Sequence, residues 1–246
     1  MEQTDREPIK EILLGESKIT LLGTAHVSRS SAEKVQELLN SGDYDAVAVE
    51  LCPSRFNALI NPDDLAKMDL FKVVKQGRVM MVMANLALGA YQQRLANQFG
   101  IAPGAEQREA IRIAQESNQP LLLIDREIST TLKRVAGNLS WWKRLTLFTG
   151  LLASILSKDD VTEEEIEHLK EGDILETTFA EFAEDRQDLY LPLIDERDRY
   201  MAARLRQEIE EQGHENLLVV IGAGHMNGIA NYLQQSDQTN PTETIS

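Results

Sequence analysis

The stretch Leu217-Leu-Val-Val-Ile-Gly-Ala-Gly-His225 joins an apolar run to a glycine-rich turn that ends on a histidine. Such a run is typical of a strand buried on both faces, and the glycines that follow it permit a tight turn. The same arrangement occurs near the start of the chain, where residues 18–22 lead into Gly23-Thr24-Ala25-His26. We therefore predict two strands that each end in a Gly-x-x-His turn.

Strand and helix patterns alternate along the chain between these two turns. Residues 9–14 and 18–22 flank a glycine turn and predict a hairpin, and apolar runs ending on Glu50 and Asp125 predict two further strands. Segments with helical spacing separate the strands. This order predicts an α/β fold with a central, mostly parallel or mixed sheet that is flanked by helices.

The domain organisation follows from where the alternation is interrupted. We expect one domain over residues 1–236, a helical hairpin inserted at 138–176, and a polar tail at 237–246. The insertion opens with Trp141 and Trp142, which we predict to pack internally. The alternative is that this hairpin is a docking surface for a partner or for a second copy in a homo-oligomer, because aromatic residues dominate interface hot spots.

Composition excludes several classes of protein. The 246 residues carry a formal net charge of −15, which disfavours nucleic acid as a partner because phosphate binding needs a basic face. The single cysteine, Cys52, rules out an internal disulfide. The charged first residues do not form a secretory signal, and no run of about 18 apolar residues predicts a membrane helix. We therefore expect a soluble, cytoplasmic domain.

The chemistry-bearing residues follow the predicted strands. Ligands of open α/β sheets gather at the carboxyl ends of the strands, where His26, Glu50, Asp125 and His225 are predicted to lie. If the first and last of these strands are neighbours, the two histidines converge. Two imidazoles and a carboxylate with open positions form a divalent metal site, and such a metal activates water for hydrolysis.

Each of these residues also has a simpler interpretation. The two histidines can be turn residues that bond to the backbone. Glu50 and Asp125 can be ion-paired, with Arg55 and Arg126 as the candidate partners. Cys52 is predicted to be a buried, inert thiol, because no histidine is adjacent to it.

A strongly helical stretch is predicted over Tyr190–Gln212, with the long helix beginning after Pro192. The triplet Glu196-Arg197-Asp198 lies in its first turns. Taken alone, a charged triplet on a helix indicates a solvated face.

Six short motifs occur in a fixed order between residues 18 and 233. They are Gly23-Thr24-Ala25-His26-Val27-Ser28, Val49-Glu50-Leu51-Cys52 with Arg55, Pro103-Gly104-Ala105-Glu106, Ile124-Asp125-Arg126-Glu127-Ile128 with Thr131-Leu132, Glu196-Arg197-Asp198 with Tyr200-Met201, and Gly222-Ala223-Gly224-His225. Together they resemble the TraB/PrgY family of pheromone-shutdown proteins, which is related to the Tiki proteases and to the GumN, ChaN and erythromycin-esterase-like groups.

The resemblance implies divalent metal-dependent hydrolysis, and the Tiki peptidases imply peptides as substrates. His26 and His225 match the two motif histidines, and Glu50 matches the acidic residue after the second strand. We expect these three residues to hold the metal, with Mn²⁺, Co²⁺ or Zn²⁺ preferred.

Other polar residues match positions near the family's site. Arg126, Glu196 and Arg197 are such matches. Glu106 or Glu196 is expected to act as general base on bound water, and Arg126 or Arg197 to stabilise the oxyanion.

A second function is a binding module that sequesters a short peptide or small ligand without cleaving it. In either function, Arg55 and Asp125 are expected to contact the substrate. Proteins of the TraB type often carry membrane helices after the domain, whereas this sequence stops at Ser246. Membrane attachment is therefore expected only if the parent protein carries such a region.

Overall fold

The computed structural model describes residues 7–24, 29–61, 104–146, 149 and 186–235. The elements within these ranges alternate between strand and helix, with a further helical stretch at 141–146. They are β1 (Ile9–Leu14), β2 (Ser17–Thr24), α1 (Arg29–Asn40), β3 (Ala46–Val49), α2 (Pro53–Ile60), α3 (Ala105–Glu116), β4 (Leu121–Leu123), α4 (Ile128–Asn138), α5 (Gln187–Tyr190), α6 (Glu196–Gln212), β5 (Asn216–Gly222) and α7 (Met226–Gln234).

The strands form one mixed sheet in the order β1-β2-β5-β3-β4. β1 and β2 are antiparallel around Gly15, whose φ of +63° is a left-handed conformation that favours glycine. β2, β5, β3 and β4 are parallel to one another. Thr24 of β2 is in register with Gly222 of β5, so the strands that lead into the two Gly-x-x-His turns are neighbours. His26 itself lies outside the described residues.

The central strand β5 is covered on both faces. Leu217, Val219 and Ile221 face α6 and α7, whereas Leu218 and Val220 face α1 and α3. All five side chains are fully buried. This two-sided burial is the physical reason why the strand carries no polar residue between positions 217 and 221.

The predicted fold class is confirmed: a mixed sheet is flanked by helices on both faces. The predicted hairpin is confirmed as β1 and β2, while the strands predicted before Glu50 and Asp125 are slightly shorter than expected. Of the insertion predicted at 138–176, the structure describes only the residues up to 146 and residue 149. The polar tail at 237–246 lies outside the described residues.

The late helical run does not begin after Pro192, as the sequence predicted. It begins at Gln187 and contains a π-helical turn at Leu191–Asp195, in which the Glu196 N–H bonds to the Leu191 carbonyl five residues earlier. Proline lacks an N–H, and the widened turn accommodates it within the run. α6 then continues from Glu196.

Trp141 and Trp142 do not pack internally, so that prediction was wrong. They are 63% and 70% exposed, and their rings meet edge to face with centroids 4.3 Å apart. Across the described ranges, no helix combines the length and apolar character needed to span a bilayer.

Candidate functional site

Three parallel strands deliver polar side chains to one edge of the sheet. Glu50 follows β3 directly, Asp125 lies two residues beyond β4, and His225 ends the 3-10 turn after β5. The Glu50 N–H donates to the Val220 carbonyl at 3.1 Å, which extends the ladder into the site. The carboxyl ends of parallel strands are where α/β proteins bind ligands, and three of the predicted residues meet there.

His225 is buried, and both of its ring nitrogens have partners. Its Nδ1 is 2.5 Å from Asp198 Oδ1, and its Nε2 is 3.0 Å from Arg197 Nη1 and 3.5 Å from Glu50 Oε1. A guanidinium only donates hydrogen bonds, so Nε2 accepts from Arg197 and the ring hydrogen lies on Nδ1. The imidazole therefore donates to Asp198 and presents its Nε2 lone pair to the site.

Asp198 fixes the orientation of the His225 ring through the hydrogen bond to Nδ1. Burial raises the pKa of the Asp198 carboxyl to about 6, although the hydrogen bond to His225 and the charge of Arg197 act in the opposite direction. The carboxylate lies against Gly228 in the first turn of α7, where the positive end of the helix dipole favours a negative charge. A Cβ on Gly228 would lie 1.9 Å from Asp198 Oδ2, so only glycine leaves room for this contact.

Replacing Gly228 with alanine is expected to displace Asp198 and to lower the free energy of unfolding by about 1–3 kcal/mol, because the added methyl group overpacks the contact. Gly137→Ala in α4 is the matched control. A Cβ there meets nothing within 4 Å, so this variant should be more stable than wild type by up to about 1 kcal/mol. Urea unfolding measures both, and equal stability of Gly228→Ala and wild type would contradict the packing argument.

Arg197 is the cation at the centre of this edge, and only 14% of its side chain is exposed. Its Nε is 3.1 Å from Asp125 Oδ1, and its Nη2 is 3.0 Å from Asp125 Oδ2 and also bonds Glu50 Oε1. The second Glu50 oxygen accepts from the Gly222 N–H at 2.7 Å. Burial alone would lower the pKa of Arg197, but the charges and hydrogen bonds of Asp125 and Glu50 raise it above its usual value, so the guanidinium stays charged.

A second ionic cluster lies beside the first and joins α4 to α6. Arg126 is fully buried, and it donates to Thr131 Oγ1 at 2.9 Å, to Glu196 Oε2 at 2.8 Å and to the Pro192 carbonyl at 2.5 Å. Arg134 also holds Glu196, with Nη2 2.5 Å from Oε1. Burial raises the pKa of Glu196, but its bonds to Arg134 and Arg126 outweigh that effect and lower it.

Of the two predicted ion-pair partners, Arg55 is confirmed for Asp125 and Arg126 is not. Arg126 was a candidate partner of Glu50 and Asp125, but its side chain turns away to the second cluster and only its backbone N–H bonds Asp125 Oδ1, at 2.9 Å. Arg197 is the arginine that pairs with both Glu50 and Asp125. Arg55 does approach Asp125, with Nη1 3.5 Å from Oδ2, and its side chain is 37% exposed.

The remaining candidates lie at or near the same edge. Glu106 is buried in the first turn of α3, and the adjacent Gln107 donates from Nε2 to the Val220 carbonyl at 3.3 Å, which places that turn over the end of β5. Cys52 is buried, as predicted. The described residues contain no group of three His, Cys, Asp or Glu side chains arranged to hold a metal. The second motif histidine, His26, is not among them.

Asp198 and Gly228 were not predicted as site residues. The charged triplet at 196–198 indicated a solvated face, yet Asp198 is 2% exposed and only 14% of the Arg197 side chain is exposed. The sequence signal that could have indicated this burial was the succession of an acid, a base and an acid at the start of the helix. The later residues of the same helix are mostly polar. Gly228 carried no signal beyond a glycine in an otherwise helical segment.

These features define an α/β domain whose buried histidine, carboxylates and arginine meet at the carboxyl edge of a mixed sheet. The chain belongs to the TraB/PrgY/gumN family, whose model matches residues 10–241. The resemblance read from the six motifs is thereby confirmed.

Similar proteins occur in archaea and in mammals. An uncharacterized protein of Methanocaldococcus jannaschii is 34% identical over 232 residues, which cover 94% of this chain and 57% of that protein. A TraB domain-containing protein of Homo sapiens is 34% identical over 204 residues, which cover 78% of this chain and 52% of that protein, and its Mus musculus counterpart is 33% identical over the same length. The chain thus spans about half the length of these relatives.

Proposed function

We propose that this chain is a divalent metal-dependent hydrolase that acts on small peptides, with the metal held by His26, Glu50 and His225. The observation that carries the proposal is the buried Asp198–His225 pair, which presents the Nε2 lone pair 3.5 Å from Glu50 Oε1. The resemblance to the Tiki peptidases supports peptides as the substrate class.

The donor geometry fits a metal ion. Ligand atoms at about 2.0–2.2 Å from a tetrahedral ion are about 3.4 Å apart, close to the separation of His225 Nε2 and Glu50 Oε1. A carboxylate that accepts the other ring N–H is the usual outer partner of a metal-bound histidine, and Asp198 supplies it.

The remaining catalytic roles are divided between the bound ion and residues of the protein. A bound ion would polarise the scissile carbonyl and activate a water molecule. Arg197 stays charged beside the metal donors and can stabilise the oxyanion that forms. Glu196 is held by two arginines and its pKa is lowered, which makes it a poor base, so we assign the general base to Glu106. Arg126 then acts by positioning α6.

Metal removal tests the proposal. Protein treated with a chelator should leave a mixture of short peptides intact, and restored Mn²⁺, Co²⁺ or Zn²⁺ should return cleavage, as followed by mass spectrometry. Tight peptide binding with full recovery of the peptides in the presence of each metal would favour the sequestering module instead.

A further inference from the structure

The guanidinium of Arg197 lies between the groups that the proposed function gives to the metal. Nη1 is 3.0 Å from His225 Nε2, and Nη2 bonds Glu50 Oε1. These two acceptor atoms are the same two whose 3.5 Å separation fits a metal ion. The described structure therefore shows the donor pair satisfied by a cation of the chain itself.

The two cations compete for the lone pair of His225 Nε2. The Nε2 of a neutral imidazole has one lone pair, so it either accepts a hydrogen bond from Arg197 or coordinates a metal. The positive charge of Arg197 also repels a divalent ion at this distance, and low exposure of the side chain limits screening by water. Arg197 and a metal therefore cannot occupy Nε2 at the same time, and the repulsion between the two cations opposes their sharing of Glu50 Oε1.

We propose that Arg197 competes with the metal for His225 and Glu50. The site then changes between a state in which Arg197 bonds these two residues and a state in which the metal binds them. This inference rests on the proposed function. Asp125 binds Arg197 through Nε and Nη2, and the Leu193 carbonyl accepts from Nη1 at 3.1 Å. These bonds retain the arginine at the edge of the site when it releases His225 and Glu50.

The competing explanation is that Arg197 only neutralises Glu50 and Asp125 and so preserves the fold around the donors. The two explanations predict opposite effects of removing the charge. A competitor lowers metal affinity, and its removal tightens binding. A structural counter-charge supports the donors, and its removal weakens binding or leaves it unchanged.

The test is a titration of the metal-free protein with Co²⁺, followed by calorimetry and by the visible absorption of the bound ion. Arg197→Gln should bind Co²⁺ at least about tenfold more tightly than wild type, because a like charge has been removed from beside the donors. Arg112→Gln is the control: it removes the same charge from an exposed pair with Glu109 and Glu116, and its affinity should match that of wild type.

The outcomes separate this inference from the proposed function. Tighter binding by folded Arg197→Gln supports competition, even if wild type binds no Co²⁺. Equal or weaker binding, or no binding by either protein, overturns it. If wild type and variant bind equally well, the metal site survives and only the competition is wrong.

A second pair of variants keeps the test valid if Arg197→Gln does not fold. Asp125→Asn with Arg197→Gln removes opposite charges together, and the asparagine oxygen can still accept the Arg126 N–H. Its reference is Asp125→Asn alone. The double variant should bind Co²⁺ at least about tenfold more tightly than this reference, and failure to do so overturns the proposal.

Discussion

Replacing His225 with alanine is expected to weaken divalent metal binding by a factor of about 100 to 1,000 and to abolish metal-dependent peptide cleavage. The factor follows from the binding free energy of a structural zinc site, about 10–16 kcal/mol, which is shared among four protein ligands and so gives about 2.5–4 kcal/mol for each. His225 contributes through a buried Nε2 that no other described histidine can replace, because His214 lies before the opposite end of β5. Calorimetric titration with Zn²⁺ measures the change.

Two further variants test whether the effect is specific to His225 and whether it depends on Asp198. His214→Ala removes a histidine from the other end of the same strand and should leave metal affinity within about twofold of wild type. Asp198→Asn keeps the size of the side chain but removes the charge that orients the Nδ1 hydrogen, so affinity should fall by about 10-fold to 100-fold. Unchanged affinity in folded His225→Ala would remove His225 from the metal site, whatever the result for Asp198→Asn.

Replacing Arg126 with methionine is expected to lower the free energy of unfolding by about 3–5 kcal/mol, the usual cost of breaking a buried ion pair. The fully buried guanidinium bonds three groups from α4, α6 and the π-helical turn, namely Thr131, Glu196 and the Pro192 carbonyl. Methionine matches the length of the side chain but supplies no donor. Urea unfolding at neutral pH gives the difference. Arg112→Met, which breaks only exposed pairs, should cost no more than about 1 kcal/mol.

The cost of Arg126→Met should depend on pH in one direction. The folded-state pKa of Glu196 lies below its ordinary value of 4.5, so the ionised form contributes stability that is present above pH 4.5. This contribution is lost as the pH falls from 4.5 through the lower folded-state pKa. The difference between wild type and Arg126→Met should therefore shrink in acid. A difference that stays constant over this range would show that the pair with Glu196 contributes nothing.

The sheet could be predicted from the sequence because its strands are local and apolar. Residues 217–221 contain only large aliphatic side chains, and the strand is buried on both faces as this composition requires. The Gly-x-x-His turns likewise predicted the end of the sheet at which Glu50, Asp125 and His225 lie. Gly23 shows the reason for the glycine: an added Cβ would lie 2.3 Å from Met226 Sδ and 3.1 Å from the Ala223 Cα, within the turn that leads to His225.

The contacts within the site could not be predicted, because they depend on how a distant helix is rotated. Arg197 comes 147 residues after Glu50 and reaches it only because α6 presents that side of its first turn to the sheet. The preceding π-helical turn shifts the phase of the helix relative to an uninterrupted α-helix. Periodicity counted from Pro192 therefore could not show which of residues 196–198 faced inward.

The position of β5 has a consequence for the order in which this protein can be built. Of the described strands, β5 is the last to be synthesised, and it is inserted between β2 and β3, so each of these strands leaves one edge unpaired until the chain has reached Gly222. Unpaired edges are templates for association with other chains, and pairing between distant segments is slow. Insertion of β5 closes both edges and carries His225 to Glu50 in the same event. A nascent chain therefore has no candidate centre, and it gains one only when its sheet becomes continuous.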